Sequence, residues 1–429
     1  MGTPETNSKS LIPKISKTLT YRTLFLVIVF GSLAGGLYWF LKVRSDLGGL
    51  HSANSVGWIS AVEFTSQSQQ AVLISPDGKI HKDTGHITGT ADRDLAWSPK
   101  GNFLYFVSDR KDHNFNLYRW APDIADAEQR TIGTRARSNL RFPAQPTEDS
   151  DGTAKGLIIT GGLVQEFDPS NQSTSQVLPP TSKEITQTSK GDESGTEGQF
   201  EGVYGTLGTS FRDAQWCNGH HCIAAVMRRE SGEILIYQDM RLQPDGKLLQ
   251  PSPIIAGDHI DLAVSPKDGT LIFCVTGFQF PDPSAAVDKD GKKRNKPFVN
   301  GIGYFDFTKS MILAANAGQV TFTSPAISPD GTALAIVLGK KDPNGDLSPM
   351  ALATLSAKGD AKYKGMQFGG EVHEPSWAPD GAHILIAVTT PNKHRSIFEV
   401  PTDGSPPRNL TGDTNDYGYP RYSPQLKAQ

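Results

Sequence analysis

Three features are scarce in this 429-residue sequence, and each scarcity removes a class of protein. Cysteine occurs three times, too few for a disulfide-built scaffold, and Cys217, Cys222 and Cys274 lack the paired spacing of a zinc ribbon. Net charge is almost absent, since 42 basic and 45 acidic residues leave −3. No like-charged block is longer than a loop, so no field gathers nucleic acid, and a nucleic-acid partner is not expected. Local catalytic signatures are missing as well: there is no G-x-S-x-G, no H-E-x-x-H, no P-loop and no G-x-G-x-x-G. What is present is apolar material, 37% of the residues, enough for a large core and too much for a chain disordered throughout.

The N-terminus carries one long apolar run. From Thr23 to Leu41 the chain reads TLFLVIVFGSLAGGLYWFL without a charge, close to the length an α-helix needs to cross a bilayer. Lys9, Lys14, Lys17 and Arg22 precede it and Lys42 and Arg44 follow, a bias that puts residues 1–22 in the cytoplasm and everything after the run outside. The expected organisation is a cytoplasmic tail (1–22), a single-pass transmembrane anchor (23–41), a Gly- and Ser-containing linker (42–56) and a periplasmic or extracellular body (57–429). A cleaved signal peptide is the alternative, because Ser32-Leu33-Ala34 offers small residues after the apolar stretch.

Within the body one phrase recurs seven times: Asp94-LAWSPKG, Leu140-RFPAQ, Asp213-AQWCNG, Asp261-LAVSPKDG, Ser324-PAISPDG, Glu374-PSWAPDG and Tyr419-PRYSPQ. Each copy sets a large apolar or aromatic residue before a turn, most often Ser/Ala-Pro-Asp/Lys-Gly. Proline presets φ at the first corner and glycine accepts the positive φ at the last, so the phrase is a strand entering a tight reversal. Further apolar runs follow most copies, and a weak fourth one leads into the next. That is the strand count of a β-propeller blade rather than of a sandwich. The stretch from Trp58 supplies strands two to four of a blade lacking its first strand, and the terminal PRYSPQ is a first strand lacking successors. The two together predict an all-β, seven-bladed propeller whose C-terminal strand completes the N-terminal blade, with six or eight blades left open by the degenerate third copy.

The SPDG-type turn after an aromatic, with VSDR at Val107–Arg110 and NLTGD at Asn409–Asp413, resembles the TolB-like propeller repeats of bacterial envelope proteins, over nearly all of the chain after Trp58. That resemblance implies the fold, and it leaves activity open, because such repeats serve as partner-binding domains, as scaffolds and as the gates of prolyl-oligopeptidase-like enzymes. The expected membrane anchor stands where the resemblance would place the α/β domain of TolB proteins.

In such a blade the turns from strand one to two and three to four share one face of the disc, and the remaining connections share the other. The long insertions at 171–210, 277–300, 339–349 and 389–395 all fall on the second face, where binding is expected. The tract 171–210 is polar and rich in Ser, Thr and Gly, so a mobile loop is expected there. Asp94, Asp213, Asp261 and Glu374 recur just before the innermost strands at the same face. As a group they read as channel-mouth carboxylates for a cation or a basic partner segment, or else each caps its own turn by accepting a backbone N–H. Cys217-NGHH-Cys222 places two cysteines at facing ends of a hairpin, within reach of a disulfide, with metal binding together with His220 and His221 as the other reading. No catalytic residue, metal site or cofactor is assigned.

The function expected from these readings is a membrane-tethered cell-envelope propeller that binds or scaffolds a peptide, protein or glycan partner on its long-loop face. The alternative is an envelope lyase or hydrolase with channel carboxylates doing acid/base work.

Overall fold

Short apolar runs separated by Pro- and Gly-containing turns fold, in this chain, into antiparallel strands grouped four to a sheet. The computed structural model describes residues 57–424 apart from 86, 122–123, 125, 145–153, 181–209, 219–220, 245, 247, 250, 279–298, 317–319, 342–346, 358–363 and 413–414. The expected tail, anchor and linker (1–22, 23–41 and 42–56) therefore lie outside the described residues, and among the described residues no helix is long and apolar enough to cross a membrane.

The first blade holds β1 (Ile59–Phe64), β2 (Gln69–Ile74) and β3 (His81–Asp83). Blade 2 is β4 (Asp92–Trp97), β5 (Leu104–Ser108), β6 (Asn116–Trp120) and β7 (Glu128–Gln129); blade 3 is β8 (Arg137–Arg141), β9 (Gly156–Thr160), β10 (Leu163–Asp168) and β11 (Ser173–Leu178). Blade 4 runs through β12 (Ser210–Cys217), β13 (Cys222–Arg229), β14 (Gly232–Asp239) and β15 (Ser252–Gly257), and blade 5 through β16 (His259–Val264), β17 (Leu271–Phe278), β18 (Val299–Phe305) and β19 (Ser310–Asn316). Blade 6 is β20 (Val320–Ile327), β21 (Ala333–Lys341), β22 (Leu347–Ser356) and β23 (Lys364–Gln367); blade 7 is β24 (Glu371–Trp377), β25 (His383–Thr389), β26 (Arg395–Pro401) and β27 (Arg408–Asn409).

One strand breaks the sequential order. The last, β28 (Asp416–Tyr422), pairs antiparallel with β1, setting Tyr422 opposite Ile59 and Asp416 opposite Phe64, and so becomes the innermost strand of blade 1. The ring contains seven blades, and all seven copies of the repeated phrase lie on innermost strands.

Packing follows from the two-residue period of a strand. All five residues of β5 are buried, which requires cover on both faces of the sheet. Leu104 and Phe106 pack with Val62, Leu73 and Trp97, the blade 1 side, while Tyr105 and Val107 pack with Leu140, Ile158 and Phe167, the blade 3 side. A comparable apolar cluster fills each blade boundary, and the one between blades 7 and 1 joins Leu385 and Ile397 to Ile59, Ile74 and Tyr417. Closure of the ring buries what a single blade leaves wet.

The turns explain their own sequence. At Ser328-Pro-Asp-Gly331 the Gly331 N–H donates to the Ser328 carbonyl at 2.9 Å, the Ser328 hydroxyl accepts the Ala333 N–H at 2.9 Å, and Asp330 accepts the Thr332 N–H at 3.0 Å. Hydrogen bonds from Ser328 and Thr332 hold the Asp330 carboxyl at about 2. Gly331 has φ of +70°, the left-handed conformation that glycine adopts without a Cβ penalty.

Two sequence expectations need correction. Residues 173–178 of the tract assigned to a mobile insertion form β11, paired to β10. As an outermost strand it is partly exposed, so STSQVL has none of the apolar density that marks an inner strand; the stretch 181–209 lies outside the described residues. The short-turn face is also less uniform than the repeats imply. The β8–β9 connection spans 142–155, because Leu140-RFPAQ has no Asp-Gly to complete a tight reversal, and the β14–β15 connection spans 240–251.

Candidate functional site

Innermost strands line the channel of a propeller, and the four carboxylates singled out in the sequence all reach it. They lie within their strands rather than before them, again unlike the expectation. In five blades the equivalent residue has a positive φ: Asp94 (55°), Asn139 (57°), Ser324 (51°), Glu374 (56°) and Tyr419 (55°). At each of these the register to the second strand slips, so the residue sits on a β-bulge. A bulge leaves two residues opposite one and re-aims the side chain. Blade 4 slips at Arg212 instead, and β16, which carries Asp261, pairs without a shift.

Together with Asp213 and Asp261 these residues surround a cavity of about 280 Å³ at the end of the channel where the strands begin; Arg141, Arg212 and Arg421 share its wall. The carboxylates are matched by guanidinium groups: Asp94 with Arg93 at 3.8 Å, Asp213 with Arg141 at 3.9 Å, Asp261 with Arg212 at 3.8 Å and Glu374 with Arg395 at 3.7 Å.

Several ring residues also grip the next blade, not their own turn. Asp261 accepts the Ser324 N–H at 2.9 Å, Glu374 accepts the Tyr419 N–H at 2.5 Å, and the Asn139 amide donates to the Arg212 carbonyl at 2.6 Å. Arg212 donates to the Ile260 carbonyl while forking onto Glu233 at 2.7 and 2.9 Å. Asp94 and Asp213 hold no backbone amide among the described residues and instead face Arg93 and Arg141.

Electrostatics separates two of the carboxylates. Burial pushes Asp261 up, but the hydrogen bond and charge of His259, the Ser324 amide and Arg212 outweigh it and hold Asp261 below the ordinary value. Burial lifts Glu374 above its ordinary value, against the Tyr419 amide, Arg395 and Arg421. For Glu374 the cause is desolvation rather than a second carboxylate, so the two do not share a proton as an acid dyad does.

Past this ring the channel changes character. Toward the short-turn face it opens into a second cavity of about 580 Å³ whose wall includes Trp97, Phe142, Trp377 and Tyr422, with Pro99, Pro329, Pro379 and Pro424 farther along. The two cavities share Leu95, Arg141, Leu262, Pro325, Pro375 and Arg421, and so are consecutive lengths of one bore. Here the grip runs the other way round the ring: Trp97 Nε1 donates to the Arg421 carbonyl at 3.4 Å and Trp377 Nε1 to the Ala326 carbonyl at 2.9 Å.

Of the cysteines, Cys217 and Cys222 are register partners at the β12–β13 turn, disulfide-bonded with Cα atoms 5.2 Å apart. Cys274 is buried, and burial raises its thiol well above the ordinary value. Among the described residues no group of three or more His, Cys, Asp or Glu is arranged to hold a metal ion; His220, of the alternative metal reading, lies outside them.

No protein-family model matches this chain and no curated protein does. Solved structures match it at low identity. TolB from Acinetobacter baumannii aligns at 14% identity and a TM-score of 0.46, over 86% of this chain and 67% of that one. The chain is a seven-bladed β-propeller. An oligogalacturonate lyase solved with manganese aligns at 12% and 0.49 over 82% and 85% of the two chains, and a puromycin-hydrolysing peptidase of Mycobacterium tuberculosis at 10% and 0.49 over 83% and 53%. The fold and the blade count of this propeller stand on its own seven sheets.

Proposed function

We propose that this protein is a membrane-tethered propeller of the cell envelope, a binding or scaffolding module that holds a peptide, protein or glycan partner at the ring end of its channel. The observation that carries this reading is the ring itself. Seven innermost strands each turn one residue toward a 280 Å³ cavity, at the face where the β17–β18, β21–β22 and β25–β26 connections emerge. Asp94 and Asp213 engage no neighbouring amide among the described residues and are the ring carboxylates with acceptor capacity for a partner. Rigid scaffolds that present polar groups at the edge of long loops are where partners dock. The Cys217–Cys222 disulfide supports an oxidising compartment, and the charge bias around residues 23–41 supports an outward-facing propeller.

Photocrosslinking in intact cells from Lys393, in the β25–β26 turn, tests the reading. A defined partner captured by the native chain and lost from an Asp94→Asn, Asp213→Asn double variant of unchanged melting temperature is the expected result. Equal capture by both forms removes the ring from the mechanism.

One observation favours a second reading, an envelope lyase or hydrolase: Asp261 and Glu374 line one cavity with pKa values moved in opposite directions, as an acid and a base require. Incubation with oligosaccharides and peptides decides between them. Turnover abolished by Glu374→Gln supports catalysis, and the absence of product supports the binder.

A further inference from the structure

One layer of the channel is charged with a single sign. Two residues beyond the ring position, five blades place Ala96, Gln215, Ala263, Ala326 and Ser376 on the wall, while blades 3 and 1 place Arg141 and Arg421. No carboxylate occupies this layer. Arg141 reaches back to Asp213 at 3.9 Å. Arg421 has no carboxylate within 4.0 Å among the described residues, and its guanidinium donates to the Pro420 carbonyl at 3.1 Å. A guanidinium carries five donors in a planar fork suited to a carboxylate, so most of the hydrogen-bonding capacity of Arg421 is unspent inside the bore.

Burial, followed by repulsion from Arg141, draws the pKa of Arg421 down to about 10, with Glu374 opposing. An anion placed between the two arginines would relieve both effects. From that point to the rim at Pro424 is three residues of chain, roughly 10 Å at strand spacing, and the wall between is Trp97, Trp377 and Tyr422. A compact inorganic anion would leave this apolar length empty. A linear ligand with its charge at the tip and apolar groups behind would fill it.

We infer that the short-turn half of the channel captures the free C-terminal carboxylate of a peptide, with Arg421 and Arg141 binding the carboxylate and the aromatic and proline wall holding the apolar residues before it. The cavity, about 580 Å³, falls in the size range of the clefts and cavities that hold ligands. Backbone groups of the peptide would find Gln215 and Ser376 on the same layer. The site begins at the arginine layer that both cavities share and extends from it toward the short-turn face, away from the carboxylate ring, and its test does not require that ring to hold a partner.

The probe is a pool of octapeptides randomised over their last four positions, passed over the immobilised full-length chain in two forms, free acid and C-terminal amide. Retention of the acid pool at least tenfold above the amide pool, with apolar side chains enriched at the final two positions, is expected. Peptides recovered from that pool should lose at least tenfold in affinity against Arg421→Gln, with part restored by Arg421→Lys, and Arg421→Gln should melt no lower than the native chain because it removes a partly buried, unpaired charge. Equal retention of acid and amide pools overturns the inference using the unmodified protein alone, as does no retention of either. Binding of a straight-chain acid such as decanoate without any peptide binding overturns the peptide assignment.

Discussion

Asp261 and Ser324 belong to different blades, yet the carboxylate of the first accepts the backbone N–H of the second at 2.9 Å. Ser324 has a φ of 51°, a conformation costing a non-glycine residue roughly 1–3 kcal/mol, so the bulge on one strand is braced by a side chain from the strand before it in the ring. Residues of the carboxylate ring therefore take part in joining the blades at this end of the channel. The same carboxylate faces Arg212 and His259.

Asp261→Asn keeps an oxygen for the Ser324 amide and removes the charge, and is expected to cost about 1–2 kcal/mol at pH 6. The pH profile carries the more specific signature. The Asp261 pKa is depressed from 3.8, so its contribution is present above pH 3.8 and is lost as pH falls through the lower folded-state value. The His259 pKa is raised from 6.5, chiefly by the hydrogen bond to Asp261, so that contribution is present below pH 6.5 and is lost as pH rises through the higher folded-state value. Thermal melts of the native and Asp261→Asn proteins should differ most between about pH 4 and pH 6.5. A difference independent of pH contradicts the ionic account.

Glu374→Gln should act in the opposite sense. A carboxyl whose folded-state pKa is raised from 4.5 by burial costs stability when ionised and costs nothing once both states are protonated. The glutamine oxygen can still accept the Tyr419 N–H. The variant is therefore expected to melt higher than the native chain at pH 7, with the gap closing as pH falls from the raised folded-state value toward 4.5. A variant that melts lower at pH 7 would mean that the 3.7 Å pairing with Arg395 outweighs desolvation.

Trp377→Phe tests the grip at the other end of the channel. Phenylalanine keeps most of the ring volume but cannot donate to the Ala326 carbonyl, which Trp377 Nε1 meets at 2.9 Å. Loss of one inter-blade hydrogen bond is worth about 1 kcal/mol. Chemical denaturation should show that loss with an unchanged slope, and no change in midpoint would leave the indole as packing alone.

Much of this was legible because the repeat records spacing. Trp97, Trp216 and Trp377 mark one slot, the Ser-Pro-Asp-Gly turns mark the next corner, and the mismatch between Trp58 and PRYSPQ shows that the ends must meet. The use of Asp261 and Glu374 was not legible. A carboxylate at a recurrent position reads as a cap for its own turn, and nothing along one strand tells that it reaches the amide of the following blade. Polar STSQVL looked like loop because an outermost strand has one wet face. The arginine layer left a visible signal, since aligning the copies puts Arg141 and Arg421 in a column otherwise filled by Ala, Gln and Ser; reading only the carboxylates passed over it.

Removal of residues 416–429 is the strictest test of the architecture. β28 supplies the innermost strand of blade 1, buries Tyr417 against the blade 7 boundary, presents the Tyr419 N–H to Glu374 and sends the Ser423 N–H to the Trp58 carbonyl at 2.8 Å. Without it β1 becomes a bare edge facing the channel, and its partner on the blade 7 side loses its cover. The truncated chain should lose cooperative unfolding, and a peptide corresponding to 414–429, added in trans, should restore it in a saturable way. Cooperative melting of the truncated chain near the native temperature would show that blades 1 and 7 hold together without that strand, and the closed ring would no longer account for the stability of the fold.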